Sequence, residues 1–299
     1  MKGYLVLFSA LAFSQTASAV DIELKQKVKV RDSVNVHSSS LGDGGSLIDS
    51  AKKKERTSYQ AKLLFSFDPE FYGLNPYFHL GYEWEDKTVD HTSGSLDKSY
   101  HEKHVNQFIG VGVKYKAKQL LGAEQIKFDW RFERWFDVDV ERHHLAQDAS
   151  DLSGNFEGYE AKFKIEAVYA TPWQQWIVEP RIDYSYAFQD DWLDKSGSNE
   201  LQMSERGHEV EARLLMTYIV PSALPLTLSL GPEWVYEYGS EKDLVLGWQS
   251  ENDDVMLATF MATFELPNQG LEFEFWANHQ LDGELQGENN FELKMDWKF

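Results

Sequence analysis

The chain has 299 residues, with 29 Lys and Arg against 49 Asp and Glu, a formal charge of -20 and no cysteine. These numbers exclude disulfides, thiol chemistry and cysteine-ligated zinc, and they disfavour nucleic acid as a partner. No interior stretch is long and apolar enough to be a transmembrane helix. Yet 14% of the chain is aromatic, and those rings recur along segments of alternating polarity.

Residues 1–19, MKGYLVLFSALAFSQTASA, combine a lysine, an apolar run from Tyr4 to Phe13 and the small-residue pattern Ala17-Ser18-Ala19. That is the layout of a secretory signal cleaved before Val20, and the run is too short for a spanning helix. Residues 20–299 then form one exported domain. Its first alternating segment sets Ile22, Leu24, Val28 and Val30 against Lys25, Lys27, Lys29 and Arg31. The next sets Tyr59, Leu63 and Phe65 against Gln60 and Lys62. Phe78, Leu80, Tyr82 and Trp84 follow, opposite His79 and Glu83. Val105, Ile109, Val111 and Val113 oppose Gly110, Gly112 and Lys114, and Ile126, Phe128, Trp130 and Phe132 oppose Lys127, Asp129, Arg131 and Glu133.

The rhythm continues with Phe163 and Ile165 against Lys162, Lys164 and Glu166, and with Ile182 and Tyr184 against Arg181 and Asp183. Leu214 and Met216 oppose Glu209, Glu211 and Arg213. Leu228, Leu230 and Trp234 oppose Glu233 and Glu237. VMLATFMATFEL is apolar on both parities, so its facing stays open. Phe273 and Phe275 oppose Glu272 and Glu274, and Phe291, Leu293, Met295 and Trp297 complete a twelfth segment ending at Phe299.

Short links fall around 67–75, 117–124, 171–175, 221–225 and 267–270, and long polar loops at about 32–55, 86–103, 139–155, 189–205, 239–252 and 281–289. Alternation, interfacial Tyr and Trp, and short turns opposite long loops predict an all-β, antiparallel up-and-down transmembrane barrel of about twelve strands in the outer membrane. A secreted β-sandwich also alternates, but it does not usually place so many Lys and Glu at half its strand positions. Pro180 and Pro232 stand against the barrel, since each removes a ladder donor inside a predicted strand. A terminal strand ending Trp297-Lys298-Phe299 resembles the signal read by the outer-membrane assembly machinery.

The charged faces then line a lumen. Lys25, Lys27, Lys29, Arg31, Lys62, Lys114, Lys127, Arg131, Lys162, Lys164 and Arg181 form an expected basic ladder. Glu209, Glu211, Glu233, Glu237, Glu272 and Glu274 form an opposing acidic wall, and the two set up a field favouring polar or charged solutes. Mutual ion pairing within the barrel is the plainer role for any one of them. The loop segments QDDWLD and SENDDV carry much of the negative excess, where solvent or divalent cations bridging to lipopolysaccharide can accommodate it.

The strand count, AVDIELKQKVKVRDS at the start of the exported chain, KKKERTSYQAKLLFSF and the terminal aromatic together resemble the oligogalacturonate-specific porin family of the KdgM type, which includes the sialic-acid porin. That resemblance implies a small monomeric barrel passing acidic oligosaccharides along lumenal bases, without a cofactor. The acidic eighth to eleventh strands depart from the family pattern. In size and acidity the chain also resembles the nonselective monomeric porin of the OmpG type, which has fourteen strands.

An enzyme is the competing class. Outer-membrane phospholipase works through a Ser–His pair, and His37 with Ser39 is the available fragment, without that family's surrounding residues. Asp90-His91 and His143-His144 are fragments of the Asp and His set of omptin proteases. His101-x-x-His104 has a spacing that ligates metal from a helix and not from a strand. No catalytic residue and no metal ligand is therefore expected.

Overall fold

The computed structural model describes residues 20–299 except 33–35, 42–46, 68–72, 94–95, 98, 145–151, 191, 195–199, 203–204, 223–224, 244–246 and 283–288. The expected leader, residues 1–19, lies outside the described residues. Twelve long strands carry the fold: β1 (Val20–Asp32), β2 (Leu47–Phe67), β3 (Leu74–Ser93), β4 (Tyr100–Lys118), β5 (Gln125–His144), β6 (Leu152–Ala170), β7 (Trp176–Gln189), β8 (Glu205–Val220), β9 (Leu226–Asp243), β10 (Gly247–Leu266), β11 (Leu271–Asp282) and β12 (Asn289–Lys298). Each pairs antiparallel with its neighbour in sequence, and β1 pairs with β12 from Glu23↔Lys298 to Asp32↔Asn289, so the sheet closes into a barrel. Four short pieces, Val36–Leu41, Leu96–Asp97, Trp192–Asp194 and Glu200–Gln202, extend the ladders at one end.

The expected parity holds along the walls. Val28, Ile109, Val111, Ile182, Leu214, Leu230 and Leu293 point outward and are exposed. Their sequence neighbours of opposite parity, such as Lys62, Asp183, Thr217 and Ser229, are buried in the interior. The register also decides the facing of β10. Thr259, opposite Gly231 and Asn278, is wholly buried, whereas Phe260 and Met256 are exposed outside.

Strands reach well into the segments expected to be loops: β2 starts at Leu47, β3 runs to Ser93, β5 to His144 and β9 to Asp243. β2 has 21 residues, about twice the ~9–11 that a tilted strand needs to cross a bilayer. Apolar alternation marks only the band whose outer face avoids water. Above it the backbone ladder continues without that outward apolar alternation, and nothing in the periodicity announces the extension.

Three local breaks shape the walls. A register shift between Trp135 and Val138 in the β5–β6 pair, matched by one between Val105 and Gln107 in β4–β5, inverts the parity of β5. Val138 and Val140 thereby turn inward and are buried at 2% and 1%, while Asp139 and Glu141 turn out. Such a bulge is how one extra residue re-aims a strand. The two in-strand prolines sit where ladders lapse. The β6–β7 pairing passes from Glu166↔Arg181 to Tyr169↔Val178 around Pro180, and β8–β9 from Arg213↔Glu233 to Met216↔Leu230 around Pro232. The missing donors are therefore accommodated in the barrel wall.

The opposite end has tight turns. After β4, Ala123 N donates to Leu120 O at 3.0 Å, with Gln119 and Leu121 at φ 54°. After β10, Pro267–Gln269 makes a single 3-10 turn that Gly270 ends at φ 64°. The last residue joins the seam, where Phe299 N donates to Ile22 O at 3.0 Å and its ring lies 4.4 Å from that of Trp297.

A closed ladder has no edge from which to unzip. The refolded protein is expected to resist dodecyl sulfate at room temperature and to run faster in a gel unheated than boiled. Identical mobility of the two samples would contradict closure.

Candidate functional site

The interior is built in rows, because residues paired across successive strands share a face. One row reads Leu64, His79, Gly110, Glu133 and Glu160 across β2 to β6, and the next reads Ser66, Tyr77, Gly112, Arg131 and Lys162. Each ring lies flat across the glycine beside it. A Cβ on Gly110 would stand 2.4 Å from His79 Nε2, and one on Gly112 would stand 2.3 Å from Tyr77 Cζ. Those glycines let β3 side chains reach residues two strands away. Tyr77 Oη donates to Asp129 Oδ1 at 2.7 Å, and His79 Nε2 lies 2.9 Å from Glu133 Oε1.

Glu133 is the meeting point of this wall. Its Oε1 also lies 2.6 Å from Lys62 Nζ and 3.0 Å from Arg131 Nε, and Arg131 Nη2 continues to Glu160 at 2.9 Å. Lys62 and Glu133 are almost completely shielded, at 7% and 4% side-chain exposure. Lys62 Nζ additionally stands 5.0 Å over the Phe108 ring, a favourable placement for a cation. Above them Trp135, Val138, Val140 and Phe156 make an apolar cluster inside the barrel.

The structure places the sequence-derived ladder on the inner face and gives most of it partners. Lys25 meets Asp296 at 2.5 Å and Glu23 at 3.3 Å, and Lys27 meets Glu292 at 2.9 Å. Lys127 and Lys164 share Glu166 at 2.6 and 2.8 Å, and Arg181 pairs with Asp183. Arg31 lines the lumen farther along β1. Lys29, Lys114 and Lys162 make no ion pair among the described residues; Lys114 Nζ lies 5.1 Å over the Tyr77 ring. On the acidic side, Arg213 binds Glu233 at 2.5 Å and approaches Glu211 at 3.7 Å, while Lys294 binds Glu274 at 2.7 Å. Glu209, Glu237 and Glu272 make no ion pair among the described residues.

Sequence reasoning put the partner acids on the inner face and allowed for mutual ion pairing, but did not say which acid meets which base. Glu133, Glu160, Glu166 and Asp183 share parity and strands with the bases they hold, and Glu292, Lys294 and Asp296 alternate along β12 in the same way. Same-face i, i+2 opposition along a strand was the signal available for them. The lumenal Trp276, which Arg213 and Lys294 approach at 4.3 and 4.7 Å from its ring centre, had none.

Among the described residues, three adjoining chambers line up along these walls. The middle one, about 510 Å³, includes Lys25, Lys27, Lys114, Lys162 and Arg181. It shares Lys25, Lys114 and Asp296 with a chamber of about 570 Å³ at the Phe299 end. It shares Lys27, Lys162, Arg181 and Lys294 with one of about 180 Å³ on the other side. The middle lining carries nine Lys and Arg (25, 27, 62, 114, 131, 162, 164, 181, 294) against seven carboxylates (83, 129, 133, 160, 183, 274, 296). A chain of charge -20 thus encloses a middle chamber with more bases than acids.

Of the paired fragments considered for catalysis or metal binding, His101-x-x-His104 is the one whose side chains are both described. His101 and His104 fall on opposite faces, His101 Nε2 2.6 Å from Asp86 Oδ1 and His104 Nε2 2.9 Å from Glu102 Oε1. No three His, Cys, Asp or Glu among the described residues come together so as to hold a metal ion. The side chains of His37, Ser39, His91 and His144 lie outside the described residues.

Closure, inward charge and an apolar exterior define the class as an outer-membrane-type β-barrel. No protein-family model and no characterised relative matches the sequence. Solved structures do match. The β-domain of the Bordetella autotransporter BrkA is 10% identical, covers 94% of this chain and 100% of its own, and has a TM-score of 0.58. The translocator domain of the autotransporter NalP from Neisseria meningitidis is 12% identical over 100% and 95%, at 0.54. An outer-membrane channel from Pseudomonas putida F1 is 14% identical over 95% and 97%, also at 0.54. At such identities the likeness is one of fold.

Removing one partner of a buried pair leaves the rest uncompensated. Glu133→Ala is expected to cost about 3–5 kcal/mol of unfolding free energy in a urea titration of the folded barrel. Loss of the exposed Arg134–Glu157 pair, 2.7 Å apart, should cost less than ~1 kcal/mol. Equal effects would refute the central role given to Glu133.

Proposed function

We propose that the protein is an outer-membrane channel for small hydrophilic solutes with a preference for anionic ones, acidic oligosaccharides among them, and that it is not an enzyme. The observation that carries this reading is the surplus of bases over acids in the middle chamber of an otherwise strongly acidic chain. A conduit must bind weakly enough to release what it admits, and partnered bases meet that need better than bare ones. Ion pairs such as Lys27–Glu292 and Lys127–Glu166 hold the cations in place and temper their attraction. Lipid and lipopolysaccharide contact the outward apolar band, the assembly machinery reads the Trp297–Phe299 end, and one chain makes one pore.

The bases fall into two sets. Arg131 and Lys62 are buried ties, so replacing them tests the fold. Lys114 and Lys162 face the middle chamber without an ion pair among the described residues, so replacing them tests selection. In a potassium chloride gradient across a planar bilayer, the wild type is expected to show a reversal potential of anion-preferring sign. Lys114→Gln with Lys162→Gln should shift it towards cations, more at 0.1 M than at 1 M salt, as the screening length falls from ~10 to ~3 Å. An unchanged potential in the double variant would favour a nonselective pore. Turnover of phospholipid or peptide by the purified barrel would overturn the channel assignment itself.

The outward face makes a separate demand. Val28 pairs with Tyr59 and Leu293 on the exterior, so Val28→Lys is expected to cost ~2–4 kcal/mol if it lies near the bilayer midplane. Folding yield into lipid vesicles measures this, and a yield equal to wild type would place Val28 outside the membrane band.

A further inference from the structure

The smallest chamber, about 180 Å³, differs from its neighbours in how its charges are left. Most are satisfied: Lys27 by Glu292, Arg213 by Glu233, and Lys294 by Glu274 and Glu292. Lys29, Lys162, Glu209 and Glu237 make no ion pair among the described residues; Lys162 acts on the acids, and Lys29 and the two glutamates stand on separate walls. On β1, Lys29 has the cations Lys27, Arg31 and Arg56 around it, with Glu292 as the carboxylate acting on it. On β8 and β9, Glu209 and Glu237 are directly paired in register, and Glu209 also has Glu211 beside it, with Lys162 as the opposing cation.

Around the barrel, β1 is followed on one side by β12, β11, β10, β9 and β8, so the basic and acidic exceptions face each other across the lumen rather than along one wall. A lysine and a carboxylate that could reach one another would pair, since each gains a charge-assisted hydrogen bond. Here they border one chamber and do not meet. A singly charged solute gains at one wall and meets like charge at the other. A solute with opposite charges at its two ends gains at both.

We propose that this chamber selects dipolar solutes, with Lys29 receiving a carboxylate or phosphate end and Glu209 with Glu237 receiving an ammonium end. The proposal rests on the channel reading only in treating the chamber as a station on the solute's path. It narrows the anion preference of the middle chamber to molecules that also carry a cation, such as amino acids, short peptides and amino-sugar acids.

The test uses ω-amino acids from glycine to 6-aminohexanoate, compared with butyrate and butylammonium, on the refolded protein in planar bilayers. The amino acids should interrupt the current for longer than either singly charged probe, with dwell time peaking at one chain length because both ends must reach their walls. Lys29→Gln, and separately Glu209→Gln with Glu237→Gln, should each shorten the peak dwell roughly tenfold, as expected for losing one charged contact. Calorimetric titration of the detergent-solubilised barrel with the same probes gives a second readout that needs no conductance. Dwell times and affinities that show no length optimum, or that neither variant changes, would overturn the proposal. A wild type that carries no current yet binds the amino acids with the expected length optimum would sink the channel reading and leave this one standing.

Discussion

The pairing of β1 with β12 is the constraint on which everything else depends. A sheet whose outer face is hydrocarbon has no water along that face to satisfy an unpaired strand edge, so its backbone groups must be paired within the wall. The seam does this over ten registered pairs, and the terminal amide of Phe299 adds one more bond to Ile22. Once the sheet is closed, strand alternation becomes inside and outside, except where a bulge such as that after Trp135 shifts the parity. That is why Lys25, Lys27 and Lys29 share a lumen with Glu209 and Glu237, although nearly two hundred residues of chain separate the groups.

Closure also sets a packing problem in the interior, and glycine solves part of it. The wall formed by β2 to β5 places His79 beside Gly110 and Tyr77 beside Gly112. With side chains at those glycines, the rings would have to stand up into the lumen. Laid flat, they leave Glu133 open to Lys62 from three strands away, and the charge network follows the contour so made. Small residues on this wall thus determine which charges can meet.

The legible parts of the sequence were those governed by period two. Strand number, the short-turn end and the facing of strands other than β10 could be read, because Ile126 to Glu133 or Phe291 to Trp297 admit no other period. Register-dependent features could not be read so simply. The bulge after Trp135 turns Val138 and Val140 inward by inserting one residue, and a pattern search can only see the alternation falter there. The upper extensions of β2, β3 and β5 lack a sustained apolar outer face in their sequence, so alternation does not mark them. Bases and acids were recognisable as lumenal one by one, but their pairing depended on which rows aligned, and row alignment is a property of the closed sheet.

The charge distribution has its own logic. Many interior acids, Glu133, Glu160, Glu166 and Asp183 among them, hold interior bases, and the middle chamber is left with a surplus of cations. The excess behind the net charge of -20 must therefore sit elsewhere, as in Asp86, Asp90, Asp139, Glu141 and Asp254, which lie on or above the outer parts of the strands. Those groups are exposed or partly exposed, where salt shortens their reach to about 8–10 Å. The lumenal charges are confined between low-dielectric walls, where the field is focused and screened less. Two populations of charge therefore act in one chain. The outer one governs what approaches the ends of the barrel, and the inner one, though smaller in net value, sets the field within it.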